Sequence, residues 1–146
     1  MYTIETPLAG RSILVVEDDP DVAFDLSEGL RLAGAAMVDI KASVRQACRR
    51  LTRSGLPDVV IIDHDLATED TGTAFALWLR GYDVADQTLR VSYSGSEPET
   101  VRETWPDDQV CHLVITKPVD LVDLVEQIAA AWQQLHAVPP EAAVPG

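Results

Sequence analysis

The stretch Pro57-Asp58-Val59-Val60-Ile61-Ile62-Asp63-His64-Asp65-Leu66 decides the fold. Val59 to Ile62 is an unbroken β-branched run. A run this short reads as a parallel strand buried on both faces. It stops abruptly at Asp63. An acid at the carboxyl end of a central parallel strand faces the crevice in which open α/β sheets bind ligands.

Outward from that strand the same pattern repeats. Upstream, Ser12 to Val16 is a second buried run, and it also ends in acids, Glu17-Asp18-Asp19. Pro20 suits the first turn of a helix with Asp19 as its N-cap. Val22, Leu26, Leu30 and Ala33 share one face of that helix, and Gly34 stops it. A short strand is predicted over 35–40. Ser43 caps a second helix with Val44, Ala47, Cys48 and Leu51 on its apolar face. Arg45, Arg49 and Arg53 form a stripe on the other side, which reads as a solvated face. Downstream, a helix is predicted over 73–80 and a fourth strand over 89–93, weakened by Arg90 and Ser92. Ser96-Glu97-Pro98-Glu99 reads as a capping box opening the next helix. A fifth strand follows over 111–116, then a last helix capped by Asp120. Residues 1–10 read as a loose lead-in, 11–136 as one domain and 137–146 as a disordered tail.

Five strand–helix alternations mean a parallel sheet with helices on both faces, and right-handed crossovers fix the side of each helix. Five strands fit the flavodoxin-like order 2-1-3-4-5, whose switch point lies between strands 1 and 3. Those two strands end in Glu17-Asp18 and Asp63. Neighbouring strands lie about 5 Å apart, so the three carboxylates are expected in one pocket. Strands 4 and 5 bring Ser94 and Lys117 to the same edge. Crowded carboxylates raise one another's pKa, and a divalent cation relieves the conflict. Hard oxygen donors without a His/Cys cluster favour Mg2+. Asp63 is central and is the candidate nucleophile, because carboxylates form aspartyl phosphates. Lys117 and Ser94 are placed to stabilise a transferred phosphoryl group.

Charge narrows the choice of partner. With 11 Lys+Arg against 24 Asp+Glu, the formal net charge is −13. That repels nucleic-acid backbones and anionic lipid, so neither is expected as a direct partner. No apolar run is long enough to span a bilayer, and the N-terminus lacks a signal-peptide pattern. Cys48 and Cys111 read as reduced thiols, so a cytoplasmic protein is expected.

Four motifs now stand in order at strand ends. They are Ile13-Leu14-Val15-Val16-Glu17-Asp18-Asp19-Pro20, the Pro57-to-Asp63 strand, Ser94-Gly95, and Lys117-Pro118 followed by Asp120-Leu121. Together they resemble a response-regulator receiver domain of two-component signalling, of the single-domain kind, over about residues 11–135. The resemblance implies that Asp63 accepts a phosphoryl group from a histidine kinase or a histidine phosphotransfer protein. It implies that Glu17, Asp18 and Asp63 hold Mg2+ together with the Asp65 backbone carbonyl. It further implies that Ser94 and Lys117 read the phosphoryl group, and that the Lys117-Pro118 peptide is cis. Such a chain is a phosphoacceptor acting through a downstream protein partner, not an enzyme with an external substrate.

Two rim residues follow from spacing. The side chain of Asp65 is expected to orient the water that removes the phosphate, and Ser96 to face it. Phe24, off the apolar face of the first helix, is a candidate kinase contact. The chain departs from the family pattern at three places. Ala67 stands where Pro is usual, Gly72 comes one residue late, and Val114 occupies the switch position that is usually aromatic. Two other readings exist. Asp63-His64-Asp65 resembles the nucleophile motif of haloacid-dehalogenase-type phosphatases, although that motif usually sits on a first strand and here sits on the third. A receiver-like scaffold that is never phosphorylated is the other, and the intact acid, Ser and Lys set argues against it.

Overall fold

The computed structural model describes residues 6–64, 72–82, 87–107 and 109–137. Strands and helices alternate as β1 (Ser12–Val16), α1 (Pro20–Leu32), β2 (Met37–Lys41), α2 (Val44–Ser54), β3 (Val59–Asp63), α3 (Gly72–Arg80), β4 (Leu89–Ser94), α4 (Pro98–Glu103), β5 (Leu113–Thr116) and α5 (Leu121–Leu135). All strand pairs are parallel, in the order β2-β1-β3-β4-β5. This is the expected flavodoxin-like sheet.

The central strand β3 is buried throughout because both faces of the sheet are covered. Val59 and Ile61 pack with Ile13 and Val15 beneath Leu26 and Leu30 of α1 and Leu124 and Ile128 of α5. Val60 and Ile62 pack with Leu14 and Val16 beneath Ala47 and Leu51 of α2 and Phe75 and Leu79 of α3. Side chains alternate across a strand, so Asp63 continues the α1/α5 side. Each of these side chains larger than alanine stabilises the fold by roughly 1.5–3 kcal/mol relative to exposure. A slip of one residue would exchange the two faces. The cores on either side therefore fix where Asp63 points.

Three helix starts are capped as predicted. Asp19 accepts the Asp21 and Val22 N–H groups, Ser43 that of Gln46, and Asp120 that of Val122. The start of α4 differs. Its N-cap is Glu97, which makes no side-chain cap hydrogen bond, so the predicted capping box does not form. Pro98 at the first turn sets the start one residue beyond Ser96, whose N–H donates instead to Ser94 Oγ at 3.0 Å. β2 begins at Met37 and β5 at Leu113, each two residues later than predicted.

Residues 6–10 are not a loose lead-in. Leu8 is fully buried, and its N–H donates to the Ala33 carbonyl at 3.0 Å. A single apolar residue has no periodicity to reveal it. Gly34 makes the docking possible, since its φ is +100° and a Cβ there would stand 2.8 Å from Thr6 Cβ. Residues 1–5, residues 65–71 with Asp65 and Ala67, and residues 138–146 lie outside the described residues. Gly72 opens α3. No described helix is long and apolar enough to cross a membrane.

Candidate functional site

β1 and β3 are adjacent and in register, Val16 against Ile62. The residues that follow therefore emerge side by side. Glu17, Asp18 and Asp63 each place a carboxylate oxygen within 4.8 Å of the others. Glu17 and Asp63 are each 3% exposed, while Asp18 is half-buried. Both buried acids are held by the backbone ladder. Glu17 N–H donates to the Lys41 carbonyl at 3.0 Å, and His64 N–H, just past Asp63, donates to the Tyr93 carbonyl at 3.1 Å. The Asp19 N–H donates to Glu17 Oε1 at 3.2 Å and orients that carboxylate.

Lys117 enters from the end of β5. Its N–H donates to the Ser94 carbonyl at 2.6 Å, and the Lys117-Pro118 peptide is cis. Its ammonium donates to Asp63 Oδ1 at 3.2 Å and to Glu17 Oε2 at 3.4 Å. Ser94 is fully buried at the end of β4, one residue past Tyr93, which is the partner of Asp63 in register. Ser96 is half-buried and is tied to Ser94 through its backbone. Val114 is a half-buried β5 residue opposite Ser92. Phe24 is 62% exposed on α1.

Tyr93 is a site residue that the sequence reading missed. Its ring is nearly buried, and the Lys117 ammonium lies 4.9 Å from its centroid. Alternation along β4 would have found it. Residues paired in register in a parallel sheet share a face, and Tyr93 is paired with Asp63.

The charges explain one another. Burial, and then the neighbouring Asp63 carboxylate, push Glu17 up to about 7 against the opposing pull of Lys117 and the Asp19 N–H. Burial pulls the Lys117 pKa down, but the Asp63 and Glu17 carboxylates outweigh it and leave the net shift upward. Lys117 is therefore an ammonium at neutral pH. It faces a cluster of three carboxylates whose donors are all hard oxygens. That donor set suits a hard divalent cation.

The Glu17 shift makes a prediction for the metal-free protein. Its carboxyl should titrate near pH 7 by carbon NMR, against the ordinary 4.5. Folded Glu17 then keeps a proton that the unfolded chain releases near 4.5, so this group's contribution to stability falls as pH rises from about 4.5 to 7. Asp63→Asn, by removing the second cause, should lower the midpoint. An ordinary midpoint in the unsubstituted protein would refute this account of the cluster.

Residues 13–129 match the family model described as the response regulator receiver domain. The chain is 30% identical over 132 residues to the transcriptional regulatory protein PrrA of Mycobacterium tuberculosis, covering 87% of this chain and 52% of that protein. It is 29% identical over 136 residues to PrrA of Mycobacterium leprae, covering 92% of this chain and 55% of that one. The chain thus spans about half the length of the curated relatives it matches. A CheY-like response regulator receiver domain from Methylobacillus flagellatus superposes with TM-score 0.70 at 22% identity, over 84% of this chain and 99% of that one. The signal receiver domain of a signal transduction histidine kinase from Syntrophus aciditrophicus gives TM-score 0.73 at 25% identity, over 90% and 96%.

Proposed function

The chain belongs to the response regulator receiver domain family, and on that premise we propose that Asp63 is its phosphoryl acceptor. The observation that supports this most directly is the Lys117 ammonium on Asp63 Oδ1, inside the cluster of Glu17, Asp18 and Asp63. The donor is the phospho-imidazole of a histidine kinase or a histidine phosphotransfer protein. An Asp63 oxygen attacks phosphorus, the P–O bond forms as the P–N bond breaks, and the electron pair returns to the donor imidazole. Lys117 neutralises charge on the transferring oxygens without having to reorganise. The Ser94 hydroxyl donates to the product phosphoryl group. Glu17, Asp18 and Asp63, with the Asp65 carbonyl, are the residues to hold Mg2+, which when bound supplies charge neutralisation and orientation of a phosphoryl oxygen.

Phosphorylation turns the Asp63 carboxylate into an acyl phosphate of about −1.5 to −2 charge, a net gain of roughly one negative charge or less, and adds three acceptor oxygens. Ser94 and Lys117, already joined through their backbones, carry that change toward α4. The output is a contact with a protein partner, and the protein works in the cytoplasm beside the kinase.

The direct test is incubation with acetyl phosphate and Mg2+, followed by intact mass. One phosphoryl group should be added, and chelation of Mg2+ should prevent it. No addition would overturn the proposal, and sustained hydrolysis of a generic phosphomonoester would point to a phosphatase instead.

Tyr93 adds a second expected result. A cation–π contact at a partly desolvated site contributes about 0.5–2 kcal/mol. Tyr93→Leu should slow labelling at saturating acetyl phosphate by about fivefold, whereas Tyr93→Phe keeps the ring and should stay within about twofold. Equal rates for the Leu and Phe variants would remove Tyr93 from the mechanism.

A further inference from the structure

Helix α2 is charged against its own interest. Residues 40–57 contain no acid, yet hold five of the chain's 11 basic residues in a protein of net charge −13. Arg50 is committed, with its Nε on Asp39 and its Nη1 on the Gly55 carbonyl, both at 2.8 Å. Arg45, Arg49 and Arg53 are exposed and have no ion-pair partner among the described residues. They stand four residues apart, where like charges repel along a helix. Arg45 lies in the first turn, where the helix dipole disfavours a cation and no acid offsets it. Arg53, in the last turn, is favoured by the same dipole, but local stability gives no reason for Arg45 or for the repulsion along the stripe.

The neighbouring helix completes a surface. A groove of about 320 Å³ runs between α2 and α3, lined by Val44, Arg45, Cys48, Ala74, Phe75 and Trp78. Trp78 is 40% exposed and stacks on Phe75, while Tyr82, 37% exposed, meets it edge-on at 5.1 Å. Exposed Trp, Tyr and Arg around an apolar cleft are the residue types that dominate binding energy at protein interfaces. This face lies on the α2/α3 side of the sheet, whereas Asp63 points to the α1/α5 side.

We propose that the α2/α3 face is a docking surface for an acidic protein segment that seats an apolar side chain against Trp78 while its carboxylates meet Arg45, Arg49 and Arg53. Charge complementarity selects the partner class. A short acidic segment can stay within the stripe. A long polyanion, nucleic acid or an anionic bilayer, would extend over the rest of a strongly acidic body and be repelled. On so acidic a protein, the stripe also orients the encounter, because it gathers three exposed arginines on one face. The proposal does not depend on phosphorylation of Asp63.

The test uses the full chain and a fluorescein-labelled peptide, Glu-Glu-Leu-Glu-Glu-Leu-Glu-Glu, followed by anisotropy. Saturable binding is expected in about 50 mM salt, weakening about tenfold or more by about 300 mM as screening shortens the field. The triple variant Arg45→Glu/Arg49→Glu/Arg53→Glu should weaken binding by at least about tenfold. Trp78→Ala, which leaves every charge in place, should do so by about tenfold. All four positions are exposed, so each variant should fold, and circular dichroism is the control for that. No saturable binding at low salt, or binding that survives either variant, would overturn the proposal. So would equal affinity for an oligothymidylate of the same charge or for phosphatidylserine vesicles, since either would make the face a general polyanion site.

Discussion

Asp63→Asn should take up no phosphoryl group from acetyl phosphate and Mg2+ under conditions that label the unsubstituted protein to completion. An amide oxygen is not a nucleophile toward phosphorus at neutral pH, so the loss should be to background rather than partial. The substitution keeps size and shape in a residue that is 3% exposed, so packing around β3 survives. It also removes the carboxylate that, after burial, pushes Glu17 upward. The variant should therefore be folded and less prone to internal repulsion at neutral pH, and a thermal melt would establish that before the labelling is read. Glu17→Gln with Asp18→Asn is the contrasting variant. It leaves the proposed nucleophile intact and removes two of the proposed cation ligands, so labelling should slow and demand more Mg2+ rather than vanish. Labelling of Asp63→Asn at the same rate as the parent would mean that another residue is the acceptor, and the reading of the whole crevice would fall with it.

The sheet and its acidic edge were legible in the sequence because each depends on a short-range signal. Uninterrupted runs such as Val59 to Ile62 occur where both faces are buried, and the acids stand directly at their ends. The features that were not legible depend on contacts distant in sequence. Leu8 is a lone apolar residue that acquires meaning only when Gly34 lets it dock on the end of α1. The Ser96 capping box follows the local pattern but loses to Pro98 and to the Ser94 side chain. The stripe of Arg45, Arg49 and Arg53 was visible as a stripe, but Trp78 beside it comes from α3 and is brought there by the fold. Tyr93 lies between these cases, since its parity with Asp63 was available once the β3–β4 register was known.

Arg90→Leu should destabilise the protein by about 3 kcal/mol and lower Tm by about 10 °C. The sequence suggested that Arg90 and Ser92 weaken β4, yet all six β4 residues are buried and Arg90 is 2% exposed. Its side chain faces the α2/α3 core, opposite Val60 on β3. There its Nε donates to the Val110 carbonyl at 2.9 Å and its Nη2 to the Gln109 carbonyl at 3.0 Å. Its backbone is tied to the same segment, donating to His112 Nδ1 at 3.0 Å and accepting the His112 N–H at 2.8 Å. Arg90 thus fastens residues 109–112 to β4 just before β5 begins at Leu113. Leucine replaces much of the stem but leaves two carbonyls short of charged donors, each costing about 1–3 kcal/mol. Lysine should recover only part of the loss, because one ammonium cannot reproduce the fork of a guanidinium. Urea unfolding of the two variants measures both effects, and a loss below about 1 kcal/mol for Arg90→Leu would mean that water satisfies the carbonyls instead. Arg90 lies three residues before Tyr93, away from the acidic edge, so labelling per folded molecule should be unchanged. That result would separate the residue that holds β5 in place from Lys117, which β5 delivers to the site.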